Sequence, residues 1–249
     1  MIKKITLVLG FSQLLLSNNF SSDISIGGFT ADAGKGYVSD SEYRVDYKGD
    51  LDWKYTKNIL GSVVLYNNYE LMPNMKLDYS DLDQNGEGLI HKEITVDNEP
   101  FIAADYVVSD LNLKNIDGTL FINSIDSKYL KLDIGGTLRL LSLDVNFDTV
   151  SKGLVEKSVT KILPFLYLSG KVPLPQYDFE LSSELKYVQS GDIILYDYMI
   201  GAKYTFMKTS MVDYSFSAGY RSSVMHIALY EKTLYTDFNG FYGTLNFRF

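Results

Sequence analysis

The sequence predicts an all-β protein, a closed antiparallel transmembrane β-barrel of about 12 strands, with 10 or 14 strands as alternatives. Three observations predict this fold. Long stretches alternate apolar and polar residues with period two, so that each stretch presents one face of each kind. Such stretches run to about 11 residues, the length that a tilted strand needs to cross a bilayer. Their apolar faces carry Tyr and Phe near the strand ends, as interfacial girdles do.

The C-terminal part of the chain shows this pattern most clearly. In Tyr177–Tyr187 the odd positions are mostly apolar and the even positions mostly charged, and in Tyr196–Phe206 the parity is reversed. The last stretch, Phe241–Phe249, places Phe247 and Phe249 at the C-terminus. This ending resembles the assembly signal of Gram-negative outer-membrane β-barrels. The resemblance implies that the barrel-assembly machinery recognises the last strand.

Most of residues 60–249 resembles a family of small, poorly characterised outer-membrane barrels. The resemblance implies the fold and an outer-membrane location, and it implies little about function. The segments that carry it are Pro73–Tyr79, Ser109–Asp117, Leu132–Arg139, Pro164–Tyr167 with the Pro173–Pro175 turn, and Ala218–Arg221.

The first 22 residues have the pattern of a secretory signal peptide. Lys3 and Lys4 precede the apolar run Ile5–Leu16, and polar residues follow it. We expect cleavage within Ser17–Ser22, which leaves residues 23–249 as a single barrel domain. The mature chain is then a multi-pass protein of the cell outer membrane, surrounded by lipid.

Composition excludes several classes of function. The chain has no cysteine and two histidines, so thiol catalysis and cysteine-ligated metals are excluded. Its net charge is −8 and it has no basic cluster, which argues against nucleic-acid binding. No stretch reaches the roughly 18 apolar residues of a membrane-spanning helix. No cofactor is predicted.

The alternation assigns twelve strands, and the parity within them contains one irregularity. Apolar residues change face within Ile102–Leu113, which predicts a β-bulge near Ser109 and Asp110. The short turns Pro73–Asn74, Lys114–Gly118, Pro173–Gln176 and Met207–Ser210 fall on one side of the barrel. The predicted strands are Ile24–Thr30, Leu60–Leu71, Met75–Ser80, Ile102–Leu113, Leu120–Ile125, Leu130–Leu140, Leu143–Asp148, Ile162–Val172, Tyr177–Tyr187, Tyr196–Phe206, Val212–Ser222 and Phe241–Phe249.

The polar faces of these strands carry charges of both signs in near balance. Buried charges must pair or stay hydrated, so the interior is either a plug closed by salt bridges or a narrow hydrated pore. A barrel of this size is compatible with either interior, the plug or the pore. Small polar residues such as Thr137 and Ser217 favour a narrow passage. The predicted pore-lining residues are Lys131, Asp133, Arg139, Asp197, Lys203, Asp213, Arg221 and Arg248.

Two patterns that could carry chemistry are judged insufficient. His226 lies close to Ser222 in the sequence, but its parity points it outward, and His91 lies in a predicted loop. Asp81, Asp83 and Asn85 resemble the start of a calcium loop, but Lys occupies the position of the closing Glu. We therefore predict neither an enzyme nor a metal site. If the chain bound calcium, Asp81, Asp83 and Asn85 would be the candidate ligands.

The sequence predicts a non-enzymatic role: a porin-like narrow passive pore for small solutes, or a structural protein of the envelope. The alternative is a surface-exposed binding or adhesion protein that acts through loops 31–58 and 81–100. Trp53 and Tyr47 in the first loop either bind a partner or pack over the barrel mouth.

Overall fold

A computed structural model describes residues 20–32, 36–39, 44–54, 56–67, 69, 72–90, 94–96, 99–101, 105–150, 153–191, 193–229 and 232–249. Most of the predicted signal peptide lies outside the described residues. Its last three residues, 20–22, form the start of the first strand, so a cleavage site after Ser22 would remove part of that strand. No helix in these ranges has the length and hydropathy of a membrane span.

Within these ranges the chain forms fourteen strands and one 3-10 turn, Pro175–Tyr177. The strands are β1 Phe20–Ala31, β2 Tyr37–Ser39, β3 Arg44–Asp46, β4 Thr56–Asn67, β5 Asn74–Ile90, β6 Ile94–Val96, β7 Glu99–Phe101, β8 Asp105–Asp126, β9 Lys131–Thr149, β10 Gly153–Leu174, β11 Phe179–Ser190, β12 Ile193–Lys208, β13 Asp213–Leu229 and β14 Lys232–Arg248.

Ten of these strands form a closed antiparallel barrel in the order β1, β4, β5, β8, β9, β10, β11, β12, β13, β14. The barrel closes where β1 pairs with β14, from Asp23 opposite Arg248 to Phe29 opposite Tyr242. Closure leaves no open sheet edge, which is the condition for a sheet to sit in lipid. The short β2–β3 hairpin extends from β14, and β6 and β7 pair separately.

The predicted number of twelve strands is wrong, because two predicted pairs of strands are each one long strand. The described part of the predicted strand Ile102–Leu113, from Asp105 on, lies in β8 together with Leu120–Ile125. The predicted strands Leu130–Leu140, from Lys131 on, and Leu143–Asp148 both lie in β9. The predicted turn Lys114–Gly118 lies in the middle of β8, paired with β5 and β9 on its two sides. The predicted bulge near Ser109 is also wrong, since the register shift in β8 lies between Asn123 and Ile125.

The error has a physical cause: the apolar residues of a strand change face while the alternation continues. Toward the end of the barrel that holds both termini, Ile116 and Leu120 of β8 point outward and are exposed. Toward the other end, Leu111 and Leu113 point inward and are buried. A strand that leaves the lipid loses its apolar surroundings outside, and here it packs against an apolar core inside. The change of face therefore marks the edge of the bilayer.

Exposed apolar side chains form a belt around the barrel. They lie on the outward faces of the strands, where only lipid can cover so large an apolar surface. The belt includes Ile26, Leu77, Ile116, Leu120, Ile122, Ile134, Leu138, Ile162, Leu166, Leu181, Ile200, Phe216 and Leu245, together with the aromatic residues Tyr79, Phe179, Tyr204, Phe206 and Phe241.

The connections differ between the two ends of the barrel. At the end that holds both termini, β4–β5, β8–β9, β10–β11 and β12–β13 are joined by short turns, as three of the four predicted turns require. At the other end, the chain from β1 to β4 includes the β2–β3 hairpin, and β5 and β8 extend beyond the belt. Much of the predicted loop 81–100 is therefore strand, because β5 continues to Ile90.

We predict that Leu138→Arg lowers the free energy of unfolding of the barrel in lipid vesicles by about 2–4 kcal/mol, because it buries a charge in the apolar belt. Leu138 is 61% exposed in the barrel alone. The matched control is Asp148→Arg, on the same outward face of β9 but beyond the belt, with an expected change within about 0.5 kcal/mol. Guanidinium titrations measure both values. Equal losses for the two variants would contradict the position of the belt.

Candidate functional site: the barrel lumen

The centre of the lumen is built on one carboxylate that joins two arginines. Asp197 of β12 accepts hydrogen bonds from Arg221 of β13, at 2.6 and 3.0 Å, and from Arg139 of β9, at 3.2 Å. All three side chains are almost fully buried. Arg139, Asp197 and Arg221 all occupy odd-numbered positions, which point inward in their strands, while the neighbouring even-numbered positions point outward.

A second carboxylate continues the chain of ion pairs across the lumen. Asp117 of β8 accepts a bidentate pair from Arg139, at 2.7 and 2.8 Å, and the Lys186 ammonium of β11 donates to it at 2.6 Å. Lys186 also donates to Asp78 of β5 at 2.7 Å. Strands β8, β9 and β10 separate β5 from β11 in the barrel wall. This contact therefore joins two distant parts of the wall through the lumen.

Lys76 completes the arrangement, because it lies 3.2 Å from Asp78 and 2.5 Å from Glu184. The acids and bases are equal in number, so the set is electrically neutral. Buried charges are tolerated when they are paired with good geometry, and that condition is met here. We call this set the lumen network; its members are Arg221, Asp197, Arg139, Asp117, Lys186, Asp78, Lys76 and Glu184.

A second obstruction, the outer cap, closes the lumen on the far side from the termini. It consists of Tyr47, Leu51 and Trp53, which are at most 3% exposed and belong to the buried apolar core. The Tyr47 and Trp53 rings stack with centroids 4.1 Å apart, and the Trp53 indole donates to the Ser109 hydroxyl at 2.7 Å. Burial raises the pKa of the Tyr47 hydroxyl well above its ordinary value. Tyr47 and Trp53 were predicted either to bind a partner or to pack over the barrel mouth. In the structure they pack in the mouth.

Two glycines of β5 make room for the outer cap. A Cβ atom at Gly86 would lie 2.3 Å from the Leu51 carbonyl oxygen and 2.4 Å from Trp53 Cδ1. A Cβ atom at Gly88 would lie 1.9 Å from the Asp50 carbonyl oxygen. Real side chains do not occupy such positions without displacing the backbone opposite. Glycine at these positions thus allows the segment 47–54 to lie against the inner wall.

A cavity of about 430 Å³ lies on the other side of the lumen network and extends to the turn at Pro175–Tyr177. Its charged walls are also paired: Arg248 donates to Asp23 through two bonds of 2.7 Å, and Lys203 lies 2.8 Å from Glu180. The lumen is therefore divided into an outer apolar part, a neutral charged layer and a polar cavity.

The eight predicted lining residues all belong to inward-facing positions, and seven of them form ion pairs. Three of them form the centre of the lumen network: Arg139, Asp197 and Arg221. Lys203, Asp213 and Arg248 line the cavity, and Asp133 is buried beside Lys171 at 3.4 Å. Lys131 is half-exposed at the barrel end, 2.9 Å from Asp126.

Asp117, which accepts hydrogen bonds from both Arg139 and Lys186, is not among the residues predicted from the sequence. It fell within the predicted turn Lys114–Gly118 and was therefore not assigned to a face. The signal that could have found it is the parity of β8, in which Leu111 and Leu113 continue through Asn115 to Asp117 without interruption.

Among the residues considered for catalysis and calcium, those that the structure describes lie outside the lumen. His226 faces outward as predicted, opposite Ile194 and Tyr235, and His91 lies outside the described residues. Asp81, Asp83 and Asn85 alternate along the outward face of β5 in a regular strand instead of a loop. Among the residues with defined positions, no group of three or more His, Asp or Glu side chains is arranged to hold a metal ion.

Comparison with known proteins finds similarity only in solved structures. No family model matches the sequence, and no curated protein matches it. The outer membrane protease OmpT from Escherichia coli is 12% identical with a TM-score of 0.45, over 94% of this chain and 96% of that chain. Ail, the attachment invasion locus protein of Yersinia pestis, is 13% identical with a TM-score of 0.39, over 93% and 99%. An outer membrane channel from Pseudomonas putida F1 is 9% identical with a TM-score of 0.40, over 94% and 96%. At these values the similarity is one of architecture alone.

The closed sheet, the apolar belt and the polar interior together define the class of the protein. It is a transmembrane β-barrel of ten strands. Within that class, its lumen contains the outer cap, the lumen network and a polar cavity.

We predict that Asp197→Ala lowers the free energy of unfolding by about 3–5 kcal/mol, because it leaves the buried Arg221 without its carboxylate and removes one of the two carboxylates of Arg139. The control is Lys208→Ala, which removes the exposed ion pair with Asp178 at the barrel end and should change stability by less than about 1 kcal/mol. Urea unfolding in vesicles measures both. If Asp197→Ala and Lys208→Ala both had small effects on stability, water and not Asp197 would satisfy the arginines in the lumen, which would contradict their burial.

The single tryptophan of the chain makes the outer cap observable. We predict that Gly86→Val shifts the fluorescence of Trp53 to the red and increases its quenching by acrylamide, because the new side chain displaces the cap. Gly118→Val is the control, since no atom lies within 4 Å of a Cβ at that outward position. An unchanged spectrum for Gly86→Val, in folded protein, would contradict the burial of Trp53.

Proposed function

We propose that the protein is an integral outer-membrane protein of a Gram-negative bacterium, exported through a cleaved signal peptide at its N-terminus. The apolar belt supports insertion in a bilayer, and a closed antiparallel barrel is the form in which strands cross the outer membrane. The barrel-assembly machinery would recognise the last strand, β14. Phe247 supports this, because it packs edge to face on Tyr214 within a continuous outward face of β14.

We propose further that the barrel is closed at rest and has a structural role in the envelope. The contact of Lys186 with Asp78 and Asp117 carries this proposal, because it ties distant strands together through the lumen. An open channel at this level would leave eight charges to be hydrated separately. The predicted narrow pore requires that the lumen network separates and the outer cap moves.

A second candidate is a binding role at the outer end, and the outward face of the strand extensions favours it. Beyond the belt, β5, β8, β9 and β10 present carboxylates and amides in register: Asp110 lies opposite Asn85 and Asn146, and Asp144 lies opposite Asn112. This surface falls partly in the predicted binding segment 81–100. The other segment, 31–58, contributes its Tyr47 and Trp53 to the cap and so does not offer them to a partner.

We propose that the protein is not an enzyme. Catalysis by a serine or aspartate in such barrels needs an oriented histidine beside it. The hydroxyl of Ser222, the closest serine in sequence that faces the same way as His226, donates to Asp237 at 3.2 Å. The ring of His226 instead contacts the edge of Tyr235.

Conductance in a planar lipid bilayer tests the closed barrel. We expect folded wild-type protein to give no steps. The double variant Asp197→Asn/Gly86→Val should give discrete conductance steps. Asp197→Asn removes a charge from the lumen network without changing the size of the side chain, and Gly86→Val displaces the outer cap. Lys203→Gln in the cavity is the control and should stay silent. Steps from wild-type protein, with ion selectivity altered by Arg139→Gln, would contradict the closed barrel and support the pore.

A further inference from the structure

We propose that the lumen cavity binds a neutral polyhydroxylated ligand the size of a mono- or disaccharide, which enters from the end that holds both termini. This inference goes beyond the closed barrel and does not depend on it. The volume of about 430 Å³ lies at the small end of the range for ligand sites, roughly 300–1,000 Å³. The lumen network closes the cavity at its inner end.

The charges of the cavity select a neutral ligand. Its lining contains eight acids and seven bases, and the principal pairs are already formed at 2.5–3.4 Å. An anion or a cation would have to compete with these intramolecular partners, and the remaining charge would be left unpaired in a partly buried site. A neutral ligand meets no such penalty.

The uncharged wall supplies hydroxyl groups suited to a polyol. Hydroxyl groups donate and accept, so they can match a ligand whose own hydroxyls do both. They lie on β1, β11, β12, β13 and β14, beside the paired charges. The residues are Ser25, Ser182, Thr205, Ser215, Ser217 and Thr244.

Two buried side-chain oxygens in the wall of the cavity, Ser62 Oγ and Asn115 Oδ1, have no hydrogen-bond partner in the described part of the chain, and Asn115 is the more deeply buried of the two residues. Asn115 of β8 is 1% exposed, and its amide nitrogen donates to Ser80 at 3.3 Å. Its Oδ1 accepts no hydrogen bond from the described part of the chain. Buried polar atoms are satisfied in nearly all folded proteins, so an unsatisfied acceptor beside a cavity indicates a donor that comes from the ligand. A sugar hydroxyl is such a donor.

The absence of cysteine from the chain makes a direct test possible. Ser182→Cys places one thiol in the cavity, and Lys128→Cys places one on the exposed turn at the same end of the barrel. The rate of maleimide modification is measured in folded protein with increasing trehalose, methyl glucoside, inorganic phosphate or spermidine. We expect trehalose or methyl glucoside to slow modification of Ser182→Cys at least fivefold and to leave Lys128→Cys unchanged.

The second part of the test removes the acceptor Asn115 Oδ1. In the Ser182→Cys background, Asn115→Leu keeps the size of the side chain and should raise the half-protecting sugar concentration about three- to tenfold. Asn112→Leu, on the same strand but facing outward, should leave that concentration unchanged. Protection by phosphate or spermidine equal to that by sugar would overturn the assignment of a neutral ligand. No protection by either sugar at the highest soluble concentration would overturn the site itself.

Discussion

Charges inside a closed barrel must find partners, and this requirement organises the lumen. Arg139, Lys186 and Asp197 each contact more than one opposite charge, so the pairs form a continuous network instead of isolated bridges. The network is neutral, and Arg221, whose carboxylate is Asp197, is almost fully buried, so removal of Asp197 leaves a buried charge uncompensated. The same contacts that satisfy the charges also join strands that are distant in the barrel wall.

The position of the network depends on where the bilayer ends. Inside the belt, the outward faces are apolar and the inward faces are polar, as in Ile116 and Asp117. Beyond the belt, the strands reverse this relation, with Leu111 buried inside and Asp110 exposed outside. The outer half of the barrel therefore has a core like that of a soluble protein, into which the segment with Trp53 can pack. Gly86 and Gly88 provide the space that this packing needs.

The sequence was sufficient to predict the all-β class, the closed barrel and the inward direction of Arg139, Asp197 and Arg221, because alternation fixes the face of a residue within a strand. It was insufficient for the number of strands, since the reversal of faces in β8 and β9 has the same appearance as a turn. For the same reason Asp117, which fell in a predicted turn, was not predicted to point into the lumen. Whether inward charges pair or line a pore depends on distances across the lumen, which alternation along one strand does not contain.

The central claim is that opposite walls of the barrel are joined through the lumen, and a double-mutant cycle between Lys186 and Asp78 tests it most directly. Lys186→Met, Asp78→Asn and the double variant are unfolded in lipid vesicles, beside the same cycle for the exposed pair Lys208 and Asp178. We predict a coupling free energy of about 2 kcal/mol for the buried pair and about 0.5 kcal/mol or less for the exposed pair. A coupling near zero between Lys186 and Asp78 would mean that the two walls do not meet and that the lumen is open.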